Sequence, residues 1–534
     1  MKKLINIGLT LVFSLLYYYI VLPPINLQSE EFYTFLILIC AVYIGCSIFT
    51  GAPKVISDTK GYFNYVKKNA IIPLAIIILA VITVLIGSLT SLEIFRAKSY
   101  RNLISVENGD FSTDIKEISA DKIPMLDRDS AVILGDRKLG ELADMVSQFE
   151  VAPNYTQINY KDRPVRVTPL MYGDTIKWLV NQSEGIPAYI ILDMATQEVE
   201  VIRLDDGIKY SESEFFNRKL IRHIRFNYPT YMFDTPTFEI DEEGVPYWVC
   251  PKVVKKIGLF GGKDIEGAVL VNAITGESKY YKDVPTWVDR LYNSDLIVHQ
   301  YNYYGMYVNG FLNSIFGQKD VTITTEGYNY IVLNDDVYLY TGITSVGGDQ
   351  SNIGFILSNQ RTKETKFYSC AGATEKSAQA SARGIVQHLG YTATFPLLLN
   401  VMDQPTYFTA LKDNANLVKM YAMVNVEQYQ IVATGTTFDE CEKEYIKLLK
   451  NKNMVTGENL EKNVAEGKIV DIRTAVKEGT SYYYLKLEGS PSYYVISTTS
   501  YEPVVMLNIG DNIAIYYLEQ IADNMYRADS ITIK

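Results

Sequence analysis

The sequence predicts an α+β fold with a three-helix transmembrane anchor at the N-terminus, tandem modules of antiparallel sheet and helix, and a small C-terminal β-barrel. Three observations in the 534-residue chain support this class. Long uncharged hydrophobic runs occur within the first 98 residues, a strand-turn-strand pattern then recurs at wide intervals, and short β-favouring runs fill the last part of the chain.

Three hydrophobic runs predict membrane-spanning helices, because each is uncharged and close to the about 20 residues that cross a bilayer. They lie near residues 4–21, 32–50 and 71–90, and we assign residues 1–98 to the anchor. The first run also resembles a signal peptide, since Lys2 and Lys3 precede it, but no convincing small-residue cleavage site stands before Pro23. Two spans remain even if the first run is cleaved.

The charges of the connecting segments predict the orientation of the anchor. The second connection carries Lys54, Lys60, Lys67 and Lys68, whereas the first carries Glu30 and Glu31. Because basic loops stay on the cytoplasmic side, we expect a cytoplasmic N-terminus and an extracytoplasmic body at the cell membrane. The cations beyond the third run, Arg96, Lys98 and Arg101, oppose this assignment.

The composition of the body argues against several classes of ligand. Residues 1–98 hold eight of the 50 Lys and Arg but only four of the 61 Asp and Glu, so the remainder is acidic and repels nucleic acid. The five cysteines and three histidines lack the spacing of a zinc site or a readable disulfide framework. We expect no metal and no other cofactor.

Three segments share one pattern, an apolar strand followed by Asp or Asn, two residues, Thr, one residue and Glu. The pattern runs from Asp193 to Glu198, from Asn272 to Glu277 and from Asn359 to Glu364. The Asx and Thr side chains can accept hydrogen bonds from the backbone just ahead of them, so each segment predicts a hairpin turn. The spacing of about 80 residues indicates modules rather than a short solenoid repeat.

Helical segments at 211–226, 284–316 and 373–389 follow the three turns, and a weaker fourth unit begins near Pro405. We therefore predict about four β-rich units, each packing a helix on an antiparallel sheet. They occupy residues 154–450, after a helical linker at 99–153.

The segment from Asn272 to Glu277, which contains Thr275 and Gly276, resembles the turn of PepSY-like modules in bacterial membrane and secreted proteins. The first and third copies carry Gln197 and Lys363 where that family usually has glycine. The resemblance covers roughly residues 154–445. It implies envelope regulation, inhibition or protein interaction, without a catalytic centre in the modules.

Residues 467–534 predict a small barrel of five strands, at 468–475, 482–488, 492–497, 512–518 and 526–533. This number of short strands suits an OB-like or SH3-like barrel. OB-like barrels often bind oligonucleotides, but acidic residues accompany the tyrosines here. We therefore prefer a structural or protein-binding role.

One aromatic and amide-rich segment is the candidate ligand site, with Gln300, Tyr301, Tyr304, Asn309 and Asn313 as its residues. Such side chains bind peptides or glycans by stacking and hydrogen bonding. Tyrosines at helical spacing more often pack a core, so a structural role is the alternative.

A second candidate is a basic surface on the predicted helix at 211–226, formed by Arg218, Arg222 and Arg225. It suits anionic headgroups or an acidic partner. The alternative is an ordinary solvated face opposite a core stripe.

The leading hypothesis is a membrane-anchored, non-enzymatic protein that binds, scaffolds or regulates other cell-envelope proteins. Its expected partners are the lipid bilayer and an envelope protein or peptide. No catalytic residue is assigned, because neither a nucleophile elbow nor a zinc-protease motif occurs. Two alternatives stay open: an envelope hydrolase with paired carboxylates, and an accessory subunit of a transport complex.

Overall fold

The computed structural model divides the chain into two compact units, residues 1–448 and 449–534. It describes residues 2–52, 58–117, 119–347, 351–452, 454–455, 463–477, 480–498, 501–522 and 524–533. Lys54 of the basic connection lies outside the described residues.

Eleven α-helices occur in the described residues. They are α1 (Lys2–Val21), α2 (Glu30–Gly51), α3 (Thr59–Ser91), α4 (Glu93–Arg101), α5 (Phe111–Asp114), α6 (Arg128–Gly140), α7 (Thr175–Asn181), α8 (Leu220–Asn227), α9 (Ser294–Met306), α10 (Glu375–Ile385) and α11 (Phe438–Asn451).

The first three helices are long and apolar enough to cross a membrane. Helix α1 packs on α2 and α2 packs on α3. At their shared interface Asn6 is fully buried and lies within hydrogen-bonding distance of the hydroxyls of Ser47, Thr50 and Tyr65. Such polar contacts hold helices together where the surrounding lipid offers no hydrogen bonds. The N-terminal part of the chain therefore forms a membrane anchor for the large C-terminal part.

Twenty-one strands of the first unit form four sheets. They are β1 (Val106–Asn108), β2 (Phe149–Val151), β3 (Thr156–Tyr160), β4 (Arg163–Tyr172), β5 (Ile186–Asp193), β6 (Val199–Ile208), β7 (Met232–Phe233), β8 (Thr237–Ile240), β9 (Pro246–Ile257), β10 (Gly261–Asn272), β11 (Ser278–Tyr281), β12 (Thr322–Thr324), β13 (Asn329–Leu333), β14 (Asp336–Ser345), β15 (Ser351–Asn359), β16 (Thr365–Ala373), β17 (Thr392–Ala393), β18 (Leu397–Val401), β19 (Gln404–Lys412), β20 (Val418–Asn425) and β21 (Val432–Gly435).

The four sheets share one plan. In each, two short strands divide one edge between them, and three antiparallel strands follow in sequence order. Thus β2 and β3 both pair with β4, which is followed across the first sheet by β5 and β6. The second, third and fourth sheets repeat this order as β7–β11, β12–β16 and β17–β21. Mixed α+β structure with several antiparallel sheets is confirmed.

The region at 99–153, expected to be a helical linker, contains strands as well as helices. Strand β1 pairs in parallel with β16 of the third sheet, and β2 is an edge strand of the first sheet. Each has only three residues, too few to show an alternating pattern in the sequence. The helical segments predicted at 211–226, 284–316 and 373–389 are shorter in the structure, because 3₁₀ turns flank α8 and α10 and a π-helical turn follows α9.

The three predicted hairpin turns have the same hydrogen bonds. Asp193 Oδ1 accepts from the backbone N–H of Ala195 and Thr196, and the Thr196 hydroxyl accepts from the next-but-one N–H. The turns at Asn272 and Asn359 repeat each of these contacts. The residue after the threonine has a positive φ in all three, at Gln197, Gly276 and Lys363.

Two of these turns place a side chain where glycine would be easiest. The Gln197 amide donates to the Tyr421 hydroxyl at 3.1 Å, which joins the first sheet to the fourth. The Lys363 ammonium donates to Asp264 Oδ1 at 2.6 Å and to Gln300 Oε1 at 3.1 Å, which joins the third sheet to the second sheet and α9. Contacts between sheets therefore accompany the strained backbone at both positions.

The fourth sheet has a related turn that the sequence pattern did not reveal. Asn425 Oδ1 accepts from the backbone N–H of Gln428, and the Asn425 N–H donates to the carbonyl of Ile431. Its loop is longer and has no threonine at the equivalent place, so the shared pattern is lost.

The second unit contains a closed barrel of five strands. They are β22 (Asn463–Lys477), β23 (Thr480–Leu487), β24 (Tyr493–Ser497), β25 (Asn512–Ala522) and β26 (Met525–Ile533). Their order around the barrel is β22-β23-β24-β26-β25. The pair β24–β26 is parallel and the other pairs are antiparallel. The described residues of the predicted segment 467–534 form this barrel together with the start of β22.

Replacing Gly276 with alanine tests the turn. The backbone there has φ +76°, and a Cβ would lie 2.2 Å from the Tyr210 ring. We expect Gly276→Ala to lower the free energy of unfolding by about 1–3 kcal/mol. Gly140→Ala is the control, because it meets open space at the end of α6. Thermal unfolding in detergent micelles measures both; equal melting temperatures for the two variants would contradict the expectation.

Candidate functional site

The residues predicted to bind a ligand have structural partners. Gln300 and Tyr301 are buried, and the Gln300 amide donates to the carbonyl of Lys263 at 2.8 Å. Tyr301 belongs to the core between α9 and the third sheet. Tyr304 lies 4.8 Å beneath the guanidinium of Arg101. Asn309 and Asn313 both donate to the carbonyl of Lys319, which fixes the following loop. None of these five residues lines the cavity described below.

The predicted basic surface is a junction with the anchor. Arg222 donates to the carbonyl of Tyr19 and stacks on its ring at 4.2 Å. Arg225 is 5% exposed rather than solvated, and its Nε donates to the carbonyl of Leu22 at 2.9 Å. Arg218 donates to the carbonyl of Gln182. Two of the three arginines therefore hold carbonyls at the C-terminal end of α1, where a helix leaves its last acceptors unpaired.

A cavity of about 370 Å³ lies where the first, third and fourth sheets meet. Its walls come from the segment before α6, from β4, from the segment before α9, and from the edges of the third and fourth sheets. Polar side chains in the wall are Asp127, Arg128, Asp129, Tyr155, Arg166, Arg290 and Tyr330. Apolar side chains include Leu126, Phe395, Leu397 and Phe408. This volume is within the range of sites for small ligands.

Arg166 is the buried charged residue in the wall of this cavity. It lies in the middle of β4, paired with Gln157 on one side and Leu192 on the other, and is only 6% exposed. Within the described part of the chain, its Nε has no hydrogen-bond partner and no carboxylate forms an ion pair with it. Burial lowers the pKa of Arg166 to about 10, so the guanidinium stays charged at neutral pH. A buried charge without a counter-ion calls for an anion.

Two further donors around the cavity have unused hydrogen-bonding capacity. The Tyr155 hydroxyl is buried without a partner among the described residues, and burial raises its pKa, so it keeps its proton. Arg290 Nε is likewise unpaired there, while its guanidinium stacks 5.2 Å above the Tyr330 ring. Among the described residues, Arg166 Nε, Arg290 Nε and the Tyr155 hydroxyl are therefore unpaired, although Arg290 Nη2 donates to the Tyr330 hydroxyl at 3.3 Å.

The acids of the wall do not neutralise these donors. Burial favours a raised pKa for Asp127, but hydrogen bonds from Lys412 and Ser130 hold this pKa below its ordinary value. The Lys412 ammonium donates to Asp127 Oδ2 at 2.6 Å, and Asp127 Oδ1 caps α6 through the Ser130 N–H. The charge of Asp127 is therefore already compensated by Lys412. The other acid in the wall is Asp129, whereas the wall contains three arginines, Arg128, Arg166 and Arg290. The cavity can bind an anionic group whose apolar part rests on the aromatic wall.

A pair of buried acids lies behind Arg290. Glu239 accepts from the backbone N–H of Asp289 at 2.8 Å and of Arg290 at 3.2 Å. Asp289 accepts from the N–H of Asn159 at 2.7 Å. Burial raises the pKa of Glu239 to about 6, and burial with repulsion from Glu239 raises that of Asp289 well above its ordinary value. Both acids accept from main-chain donors, and neither lines the cavity.

Sequence reasoning did not identify Arg166, Tyr155 or Arg290. The one available signal was a charged residue in the apolar run from Val165 to Leu170, where an exposed strand would alternate. The other cavity residues come from distant parts of the chain, so no local pattern joins them. No protein-family model matches the chain and no curated protein matches it, so the functional argument rests on this geometry.

The raised pKa values of Glu239 and Asp289 predict how stability depends on pH. The native state holds protons that the unfolded chain releases, so the free energy of unfolding falls as the pH rises from about 4.5 through about 6. We expect Asp289→Asn to reduce this fall and to raise the melting temperature at neutral pH. Melting temperatures between pH 4.5 and 7.5 measure the effect.

The exposed Asp283, six residues earlier, provides the control. Asp283→Asn makes the same chemical change and should leave the pH profile as in the parent. A profile for Asp289→Asn that runs parallel to the parent would show that the pKa of this carboxyl is the same in the folded and unfolded states.

Proposed function

We propose that this chain is a membrane-anchored, non-enzymatic protein that binds, scaffolds or regulates other cell-envelope proteins, and that the cavity holds a carboxylate of a peptide from such a partner. One observation carries the proposal: Arg166 is buried and charged at the wall of a cavity, and no ion pair links it to a carboxylate among the residues that the structure describes. A carboxylate fits a guanidinium through paired hydrogen bonds, and the phenyl rings of the wall suit the apolar part of a peptide.

Binding is better supported than hydrolysis. A hydrolase with paired carboxylates needs both acids within reach of its substrate. The acids with raised pKa values, Glu239 and Asp289, are buried and take up main-chain N–H groups. Their position suits a structural role, whereas the donors at the cavity suit recognition.

The identity of the modules is part of the same proposal. Four sheets of equal strand order and three identical turns support PepSY-like modules in the first unit. In the second unit, β26 inserts between β24 and β25 and pairs in parallel with β24. A simple meander would pair only neighbouring strands, so this order supports an OB-like barrel over an SH3-like one.

The proposed location of the body is outside the cytoplasm. The body contacts the end of α1, the start of α2 and the end of α3, which all lie on one side of the helix bundle. The start of α3, which carries Lys60, Lys67 and Lys68, is on the other side. The preference of basic loops for the cytoplasm therefore supports an external body.

The ligand test compares N-acetylphenylalanine with its neutral amide. We expect the carboxylate to raise the melting temperature of the detergent-solubilised protein, because it supplies a counter-ion to the buried Arg166 guanidinium. Arg166→Met should abolish this shift while raising the melting temperature of the free protein, since a buried unpaired charge is removed.

Arg163→Met is the matched control, because Arg163 is on the same strand but forms a half-exposed ion pair with Asp193. It should keep the ligand shift. An equal shift with the neutral amide, or a shift retained in Arg166→Met, would refute the assignment of the cavity.

Location is tested by cysteine labelling in whole cells. Glu277 is exposed on a hairpin turn of the body, and we expect Glu277→Cys to react with a membrane-impermeant maleimide. Lys60→Cys, in the first turn of α3, should react only after the membrane is permeabilised. The reverse pattern would place the body in the cytoplasm.

A further inference from the structure

On the first unit beyond α3, the most exposed large apolar side chains lie in two places. Among the described residues of the first unit beyond α3, seven such side chains are at least 60% exposed: Phe95, Ile176, Leu179, Val180, Phe216, Leu312 and Phe316. Phe316 reaches 82% and Ile176 reaches 75%. Exposed apolar groups of this size in clusters indicate a surface that is covered in the working protein.

The first patch consists of Ile176, Leu179 and Val180 on α7 together with Phe216. Beneath it the Trp178 ring lies 4.6 Å from that of Phe215 and 5.9 Å from that of Phe216. The Trp178 indole donates to the buried Glu214 carboxylate at 2.8 Å, so α7 is fixed with its other apolar residues facing outward. The outward direction is therefore built into the packing.

One arginine links the first patch to the membrane anchor. The Arg222 guanidinium donates to the carbonyl of Phe216 at 2.7 Å and stacks on the Tyr19 ring at 4.2 Å. Beside it, the half-exposed Phe226 ring lies 5.9 Å from Tyr18 and 6.2 Å from Tyr19. The patch is thus next to the last turn of α1, where the helix leaves the bilayer.

The second patch consists of Leu312, Ile315 and Phe316 after α9, with Ile94 and Phe95 on α4. It adjoins the end of α3, since α4 begins two residues after Ser91. A chain of contacts connects the two parts of the patch. The Phe311 ring packs on Tyr307, and the Tyr307 hydroxyl donates to the carboxylate of Glu93.

The ends of α1 and α3 lie on the same side of the bilayer, because α1 and α3 run in the same direction with α2 between them. Both patches therefore lie near one membrane surface. Cations accompany them: Lys177, Arg218 and Lys219 at the first, Arg96 and Lys98 at the second. Aromatic and aliphatic side chains mixed with Lys and Arg are typical of segments that lie in the headgroup region.

We propose that these two patches form a membrane-contact surface, in which the apolar side chains enter the interfacial region of the bilayer and the neighbouring cations meet lipid phosphates. The occupant is lipid rather than a second protein, because each patch is continuous with a membrane-spanning helix. The body then contacts the membrane at both patches, in addition to its covalent links to the anchor. Arg96 and Lys98, which follow the third span, can contact lipid phosphates on either side of the membrane.

The test uses the full-length protein in lipid nanodiscs, with one tryptophan added at a time. We expect the added fluorescence of Phe316→Trp and Phe216→Trp to be quenched by a nitroxide on the upper acyl chain of the lipid. Quenching of the same signal by aqueous iodide should be several-fold weaker than for a control. The control is Ile385→Trp, because Ile385 is 52% exposed and α10 packs on strands of the fourth sheet.

Each outcome decides the proposal. Lipid quenching of both patch tryptophans but not of the control supports it, provided that each variant keeps the parent melting temperature. Iodide quenching equal to that of Ile385→Trp would overturn it, because the patches would then face water. Protection from iodide without lipid quenching would also overturn it, since a protein partner or a second copy would cover the surface.

Discussion

The attachment of the body to its anchor depends on the carbonyl groups at the end of α1. A helix leaves its last acceptors without partners, and at a membrane boundary little water is available to replace them. Arg222 and Arg225 supply donors from α8, and their positive charges suit the C-terminal end of the helix dipole. The backbone N–H of Ile25 adds a bond to the carbonyl of Pro229. Helix α8 thereby connects the body to the membrane anchor.

The four sheets are joined by the turns that define them. The left-handed residue of the repeated turn would cost least as glycine, and the second sheet has Gly276 there. The first and third sheets instead carry Gln197 and Lys363, whose side chains reach a neighbouring sheet. In the second sheet the turn has no side chain at this position. The contact comes instead from the His223 ring of α8, which lies 2.8 Å from the carbonyl of Gly276. A strained backbone position is thus used to join modules.

The sequence predicted the features that depend on local pattern. The uncharged runs predicted the three membrane-spanning helices. Asp193, Asn272 and Asn359 predicted the hairpin turns of the sheets, because hydrogen bonds from these side chains to the neighbouring backbone are local. Arg225 was assigned to the surface, because its partners, Leu22 and Tyr231, are determined by tertiary packing. The cavity was missed for the same reason, since Arg166, Arg290 and Tyr330 meet only when three sheets assemble.

The burial of Arg166 affects how strongly salt weakens its attraction for an anion. Mobile ions weaken attraction between charges that they can surround, over a distance of about 8 Å at physiological salt. They screen a guanidinium that is buried in a β-strand, as Arg166 is, less than one at the protein surface. If the proposed anion binds there, we expect its affinity to fall less with rising salt than that of an anion held by surface lysines.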